Sequence, residues 1–97
     1  MSGSAPLTVF APAGALTMAS APAVLEEGRR LARAGSLVVD FKDADTVDSA
    51  ALALLLDWMR CAQQAGHRLL VRNLPAGMLS LAGLYDLDAL LPLDSAQ

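Results

Sequence analysis

The sequence predicts an α/β fold, a mixed sheet of four to five strands with helices packed on it, in the order β-β-α-β-α-β-α. Short β-prone runs alternate with longer segments in which apolar residues recur at helical spacing. Residues 36–41 have a continuous apolar centre, which is typical of a parallel strand covered on both faces. The apolar fraction is 55% but the aromatic fraction is 4%, so we expect a core of Leu, Val and Ala side chains.

The length of 97 residues favours one domain, which we place at residues 7–97 after a flexible tail at residues 1–6. A net charge of −3 without an extended Lys/Arg cluster argues against nucleic acid as a partner. No apolar run reaches the ~18–20 residues of a membrane span. The N-terminus also lacks the basic region and apolar core of a signal peptide, so we expect a cytoplasmic protein.

The first two predicted strands are residues 7–10 and 15–18. Pro12 and Gly14 between them indicate a turn, so these strands are predicted to form a hairpin.

The first helix is predicted to begin after Ser20, its N-cap, and to end at Gly35. Glutamates lie early in it and arginines late, an order that suits the helix dipole. We interpret the arginines as a solvated face and not as a binding patch; they are Arg29, Arg30 and Arg33.

Residues 36–41 form the predicted central strand, and residues 42–48 are predicted to be a polar loop. Carboxylates are concentrated here, at Asp40, Asp43, Asp45 and Asp48. The glycine and the terminal glutamate of a calcium-binding loop are missing, so we expect no metal site.

The second helix is predicted at residues 49–65, with Asp48 and Ser49 at its start. Its core face would carry Leu52, Leu55, Met59 and Ala62. A second apolar flank includes Ala51, Leu54, Trp58, Cys61 and Ala65, and is wider than packing on a sheet requires. Either a neighbouring helix of the same domain or a partner protein covers this flank. Trp58 keeps the partner alternative open, because exposed tryptophans concentrate at interface anchors.

Gly66 is predicted to end the second helix, and residues 68–73 to form the next strand. A helix over residues 75–84 and a last helical turn over residues 86–91 complete the predicted order. His67 is interpreted as part of a polar helix-to-strand junction, and the single cysteine, Cys61, as a buried thiol.

Residues for catalysis are scarce. The sequence has no Gly-rich phosphate loop, no Cys or His pairs at zinc spacing and no nucleophile elbow. A hydrolytic pair of Ser49 and His67 would need an orienting group and an oxyanion site, and neither is indicated. We therefore expect no enzymatic activity, no catalytic or metal-binding residues and no cofactor.

The order of elements, with an acidic-hydroxyl pair between the central strand and an apolar helix, resembles a STAS domain over nearly the whole chain. The family motif, an aspartate and a hydroxyl residue followed by small residues and a leucine, stands here as Asp48, Ser49, Ala50, Ala51 and Leu52. Anti-sigma-factor antagonists of this family carry a serine at this place that a partner kinase phosphorylates. They usually carry a glycine two residues later, where this chain has Ala51.

Two segments, LALLLDW at residues 52–58 and the run over residues 72–91, are similar to the small STAS subunit of the Mla phospholipid transporter. This resemblance implies a non-catalytic subunit that binds the ABC-transporter ATPase on the cytoplasmic face of the inner membrane and supports its activity. The partner-binding residues would be Asp48, Ser49, Ala50, Leu52 and Trp58, with the helix at residues 75–84 beside them. The alternative is an anti-sigma-factor antagonist that is controlled by phosphorylation of Ser49.

Overall fold

Three parallel strands form the main sheet of the computed structural model, which describes residues 8–93 with the exception of the side chains of residues 46 and 88. The strands are β1 (Thr8–Phe10), β3 (Leu37–Asp40) and β5 (Leu69–Arg72), and their order in the sheet is β1-β3-β5. All four residues of β3 are buried, as its apolar centre predicted. The predicted tail at residues 1–6 lies outside the described residues.

The predicted hairpin is wrong. The second strand, β2 (Gly14–Leu16), pairs in parallel with β4 (Ala44–Val47), while β1 pairs with β3. Residues 11–13 therefore do not reverse the direction of the chain. Strand β2 lies beyond the end of β1 instead of beside it. Gly14 provides this path with a φ of 78°, in the left-handed region that glycine adopts readily.

Strand β4 occupies part of the stretch that was predicted to be a polar loop. Its backbone has a partner in β2, and the amide of Gly14 donates to the carbonyl of Asp43 at 3.0 Å. Because this pairing joins distant parts of the chain, the polar composition of residues 42–48 gave no local sign of it. The order of strands and helices is otherwise the predicted one, and the α/β architecture is confirmed.

The helices are α1 (Ala21–Ala34), α2 (Ser49–Ala65) and α3 (Ala76–Leu84), followed by a 3₁₀ turn at Asp88–Leu90. Ser20 does not cap α1 with its side chain. Its hydroxyl instead donates to the carbonyl of Ala15 at 2.7 Å and accepts from the amide of Thr17, so it fixes the turn between β2 and α1. None of the helices among the described residues is long and apolar enough to cross a membrane.

Helix α1 packs along α2 and covers the second apolar flank of α2. Trp58 is 0% exposed, and its indole N–H donates to the carbonyl of Leu25 at 3.0 Å. Its ring also meets Phe10 edge-on, with 5.5 Å between ring centroids. The neighbouring helix is thus the correct one of the two interpretations, and the prediction that Trp58 contacts a partner is corrected because its side chain lies in the core.

Arg29 is not part of a solvated face, as it was predicted to be. Its guanidinium donates to both carboxylate oxygens of Asp57 at 2.8 and 2.7 Å and so joins α1 to α2. Arg30 and Arg33 are exposed, and Arg30 pairs only with Glu27 one turn away on the helix surface among the described residues.

The outer edge of β5 is paired with the end of the described chain, where the amide of Val71 donates to the carbonyl of Pro92 at 2.8 Å. The interpretations of His67 and Cys61 are confirmed. The imidazole Nδ1 of His67 lies 3.0 Å from the carbonyl of Ala32 in α1, and the thiol of Cys61 is buried. Both residues therefore serve the packing of α1 against α2 and the strand that follows.

Candidate partner-binding site

The junction between β4 and α2 is a sharp corner held by Asp48. This residue has extended backbone angles, φ −134° and ψ −166°, and its carboxylate accepts from the amide of Ala50 at 2.8 Å. Since an N-cap aspartate satisfies a backbone donor that the helix leaves unpaired, Asp48 fixes where α2 begins. The side chain of Ser49 is left with no capping role.

Ser49 is the first residue of α2 and its side chain is exposed. The first turn of a 17-residue helix carries a positive partial charge, which favours acceptor atoms and negative groups close to Ser49. Ala50 and Ala51 behind it are buried, at 7% and 0% exposure. A hydroxyl group therefore projects from a small, closely packed helix start that another backbone could approach.

The corner brings together only part of the predicted site. Asp48 is half-buried and Ser49 is exposed, whereas Ala50 lies under the first turn. Leu52 is 4% exposed and belongs to the core, which agrees with its predicted place on the core face of the helix. Leu52 and Trp58 consequently have no side-chain surface to offer a partner, and the prediction of partner contacts at these positions is corrected.

Met18 is a surface residue of this corner that the sequence analysis missed. Strands β2 and β4 run in parallel with Leu16 opposite Val47, so the residues that follow them leave the ladder at the same end. Met18 is thereby placed near Asp48 and Ser49, and it is 76% exposed. The sequence placed Met18 at the end of the predicted strand over residues 15–18, and its position at this corner follows only from the shorter β2 and the β2–β4 pairing.

A groove of about 230 Å³ lies between the first halves of α1 and α2 and begins at Ala50, the residue after Ser49. Its lining is mostly apolar and consists of Met18, Ala21, Leu25, Ala50, Ala53, Leu54 and Asp57. A second depression of about 310 Å³ lies on the other side of Ala53, lined by Ala53, Leu56, Asp57 and Arg60. Ala53 and Asp57 belong to both, so we call the two together the α2 groove.

Asp57 forms the charged floor of the α2 groove. Hydrogen bonds from Arg29 are the main reason that the pKa of this carboxyl is lowered to about 2. Burial has a smaller effect that raises the pKa, while Cys61 and Arg60 lower it further. The same contact raises the pKa of Arg29. Both groups are thus charged at neutral pH, and they neutralise each other at the floor of the groove.

Asp40, the first of the acidic residues around the corner, has a structural role. Its buried carboxylate accepts from the side-chain amide of Asn73 and from the backbone of Lys42, both at 2.9 Å. Burial raises the pKa of Asp40, but these hydrogen bonds and the nearby cations lower it overall. Among residues 8–93 no group of three or more His, Cys, Asp or Glu side chains is placed to hold a metal ion.

Ser49 and His67 do not form a catalytic pair. They lie at opposite ends of α2, and 17 residues at ~1.5 Å each separate them by roughly 25 Å. The His67 ring contacts the carbonyl of Ala32, far from the corner. What the corner exposes is a hydroxyl group and a thioether beside an apolar groove.

Comparison with known proteins agrees with this architecture. The family model described as "Mlab, STAS domain" matches residues 8–92. The solved structure of the anti-sigma factor antagonist SpoIIAA in its unphosphorylated form is similar with a TM-score of 0.67 and 13% sequence identity, covering 98% of this chain and 85% of that chain. At that identity the likeness shows the fold alone. No curated protein matches the chain. The match over residues 8–92 nevertheless spans nearly all of the sequence, and the chain belongs to the STAS domain family.

Proposed function

We propose that this chain is a non-catalytic regulatory subunit that binds the cytoplasmic ATPase of a phospholipid-transporting ABC complex of the Mla type. The observation that carries the proposal is the exposed hydroxyl of Ser49 on the first turn of α2, left free because Asp48 caps the helix. The description of the matching family model, "Mlab, STAS domain", supports this class of partner. The domain would lie at the inner membrane through its partner and support ATPase activity.

Asp48 and Ser49 are the residues that we assign to this interface, with Ala50 providing a small buried base beneath them. A large or charged group at position 49 would project into the partner, since the side chain at this position is exposed. The fold should tolerate such a group, because the position is exposed and the helix N-terminus accepts polar side chains.

Co-purification tests the proposal. The tagged chain is expected to retain the ABC ATPase encoded in the same operon, and Ser49→Arg and Ser49→Glu are each expected to weaken this binding at least tenfold. Gln64→Arg is the control, because Gln64 is an exposed residue near the end of α2 that is farthest from Ser49. Circular dichroism of each variant confirms that the fold is intact. Binding of both Ser49 variants at wild-type strength would show that the corner is not the interface.

A second candidate is an anti-sigma-factor antagonist that switches partners when a kinase phosphorylates Ser49. The likeness to the SpoIIAA fold and the exposure of the Ser49 hydroxyl favour it. Ala51, at the place where such antagonists usually carry glycine, is fully buried in the core.

Gene neighbourhood separates the two candidates, since transporter genes support the ATPase partner and a sigma factor with its kinase supports switching. Mass spectrometry of the protein from its native cells is the direct measurement. Stoichiometric phosphate on Ser49 would favour switching.

A further inference from the structure

Asn73 has a backbone conformation that glycine adopts more readily. Its φ is 57°, in the left-handed region, and Asp86 is the other described non-glycine residue with a positive φ, also 57°. The side-chain Nδ2 of Asn73 donates to Oδ1 of Asp40 at 2.9 Å. The side chain of Asp86 takes part in no hydrogen bond among the described residues. Of these two positions, Asn73 is therefore the one at which a side chain makes a specific contact.

The oxygen that Asn73 contacts also fixes the turn after β3. Oδ1 of Asp40 accepts from the backbone amide of Lys42 at 2.9 Å, an arrangement in which an aspartate orients the chain two residues ahead. The amide of Ala44 donates to the carbonyl of Phe41 at 3.0 Å and closes the turn. Because Asp40 is 4% exposed, water competes little for these hydrogen bonds.

This turn leads directly into the β2–β4 ladder that carries the corner. The carbonyl of Asp43 accepts from the amide of Gly14 at 3.0 Å, at the point where β2 meets β4. After the other end of β4 the chain enters α2 at Ser49. Asn73 directly follows β5, a strand of the main sheet. The contact between Asn73 and Asp40 therefore connects the main sheet to the turn from which the ladder starts.

From these contacts we propose that Asn73, acting through Asp40, is a positioning residue for the corner at Ser49. The side chain of Asn73 orients the carboxylate, the carboxylate holds the turn, and the turn keeps β4 paired with β2. This inference rests on the proposed function, because Ser49 is the residue that would meet the ATPase. It goes further by giving a role in recognition to a residue that follows another strand.

Native-state hydrogen exchange of Asn73→Gly tests the link to the ladder without any partner. Glycine accepts the positive φ and removes the side-chain amide, so exchange at Gly14 should become roughly tenfold faster, as expected for the loss of a hydrogen bond to a carboxylate. Exchange at Leu37, which requires global unfolding, should accelerate by a similar factor. A contact that stabilised only the main sheet would accelerate Leu37 alone, because the ladder could then open with the contact intact.

Asp86→Gly is the matched control for Asn73→Gly. The two positions have the same φ, and both residues are exposed, so glycine changes the backbone preference in the same way at each. Only Asn73 contacts Asp40. Exchange at Gly14 in Asp86→Gly should stay within about twofold of wild type.

An exchange of the two side chains tests the contact itself. Asn73→Asp places a second carboxylate against Asp40, and the repulsion should displace the turn and raise the Kd for the ABC ATPase by roughly fivefold or more. Adding Asp40→Asn restores one amide and one carboxylate, keeps an oxygen that can accept from Lys42 and returns the net charge to that of wild type. The double variant should therefore bind within about twofold of wild type.

The outcomes separate this inference from the proposed function. Faster exchange at Gly14 in Asn73→Gly, with weaker ATPase binding in Asn73→Asp that the double variant restores, supports both. Unchanged exchange at Gly14 overturns the inference, as does wild-type affinity of Asn73→Asp or a double variant that binds no better than the single one. Failure of the wild-type protein to bind the ATPase contradicts the proposed function, and the exchange rates then decide whether Asn73 positions the corner.

Discussion

Asp57 shows how one residue can serve both the fold and the candidate interface. It accepts two hydrogen bonds from Arg29 across the helix pair and one from Arg60 on its own helix. Its side chain is 16% exposed, so these contacts are only partly screened by water. The carboxylate therefore holds α1 against α2 at the point where the two helices also form the floor of the groove.

The pKa of Asp57, lowered from 3.8 to about 2, predicts how stability depends on pH. A carboxyl whose pKa is lower in the folded state stabilises the fold above its unfolded pKa and loses this effect as the pH falls through its folded pKa. The stabilisation by Asp57 is thus complete near pH 5 and is lost between about pH 4 and pH 2, and Asp40 contributes with the same sign.

Urea unfolding measures this effect. Asp57→Asn should lower the free energy of unfolding by about 1–3 kcal/mol at pH 7, because charged hydrogen bonds are lost. The difference from wild type should shrink as the pH is lowered from about 4 to about 2. Asp45→Asn, which removes an exposed carboxylate, is the control and should change stability by less than ~0.5 kcal/mol at pH 7. A difference that stays constant with pH would contradict the role given to Asp57.

At the scale of residues, local patterns predicted correctly what depends on near neighbours. Asp48 and Ser49 stand at the helix start that their types indicated, and Cys61 and His67 have their expected environments. Arg29 was misinterpreted because its partner is 28 positions away in the sequence. The sequence could show that an arginine was present but not that a carboxylate on another helix faced it.

At the scale of elements, the closeness of α1 to α2 depends on a glycine. Gly28 is a buried residue of α1, and a Cβ atom built on it would overlap the indole ring of Trp58. The indole cannot move aside easily, because its N–H donates to Leu25 and its ring contacts Phe10. The broad apolar flank of α2 is covered because this position of α1 has no side chain.

Gly28→Ala is therefore expected to destabilise the protein, although alanine is the better helix former by about 1 kcal/mol. Overpacking of this kind costs about 1–3 kcal/mol, occasionally more, so after the gain in helix propensity we expect a net loss of up to about 2 kcal/mol. Gly83→Ala is the control: it lies in α3 with open space around the new Cβ and should be neutral or stabilising. Fluorescence during urea unfolding reports the change directly, since Trp58 is the single tryptophan. Equal stability of the two variants would contradict the close packing of Gly28.

The strands were harder to predict than the helices. Each helix carries its own signals, such as the Gly66 that ends α2 with a φ of 77°. The sequence of a strand contains no comparable signal that identifies the strand with which it pairs. Parallel partners are also necessarily far apart in the sequence. Pro12 and Gly14 indicated a change of direction but not whether the chain would turn back or continue, which is why the hairpin was predicted and β4 was missed.

At the scale of the whole molecule, the main sheet and the β2–β4 ladder differ in burial and in the number of paired strands. Strand β3 is buried and paired on both sides, whereas the β2–β4 ladder has two strands and a register shift between Gly14 and Ala15. Local stability follows the burial of apolar contacts and the protection of backbone hydrogen bonds from water. We therefore expect the ladder that carries Met18 toward Ser49 to open more readily than the sheet.

Native-state hydrogen exchange measures this difference. The amides of Leu37 and Phe41 donate to the carbonyls of Arg68 and Arg72 at 2.9 and 3.0 Å, and they should exchange only on global unfolding. The amide of Gly14, which donates to Asp43 at 3.0 Å, should exchange through a local opening whose free energy is lower by at least about 2 kcal/mol. Low concentrations of urea should accelerate exchange at Leu37 and Phe41 much more than at Gly14, because global unfolding exposes more surface. Equal free energies and equal urea dependence would mean that the ladder unfolds only together with the main sheet.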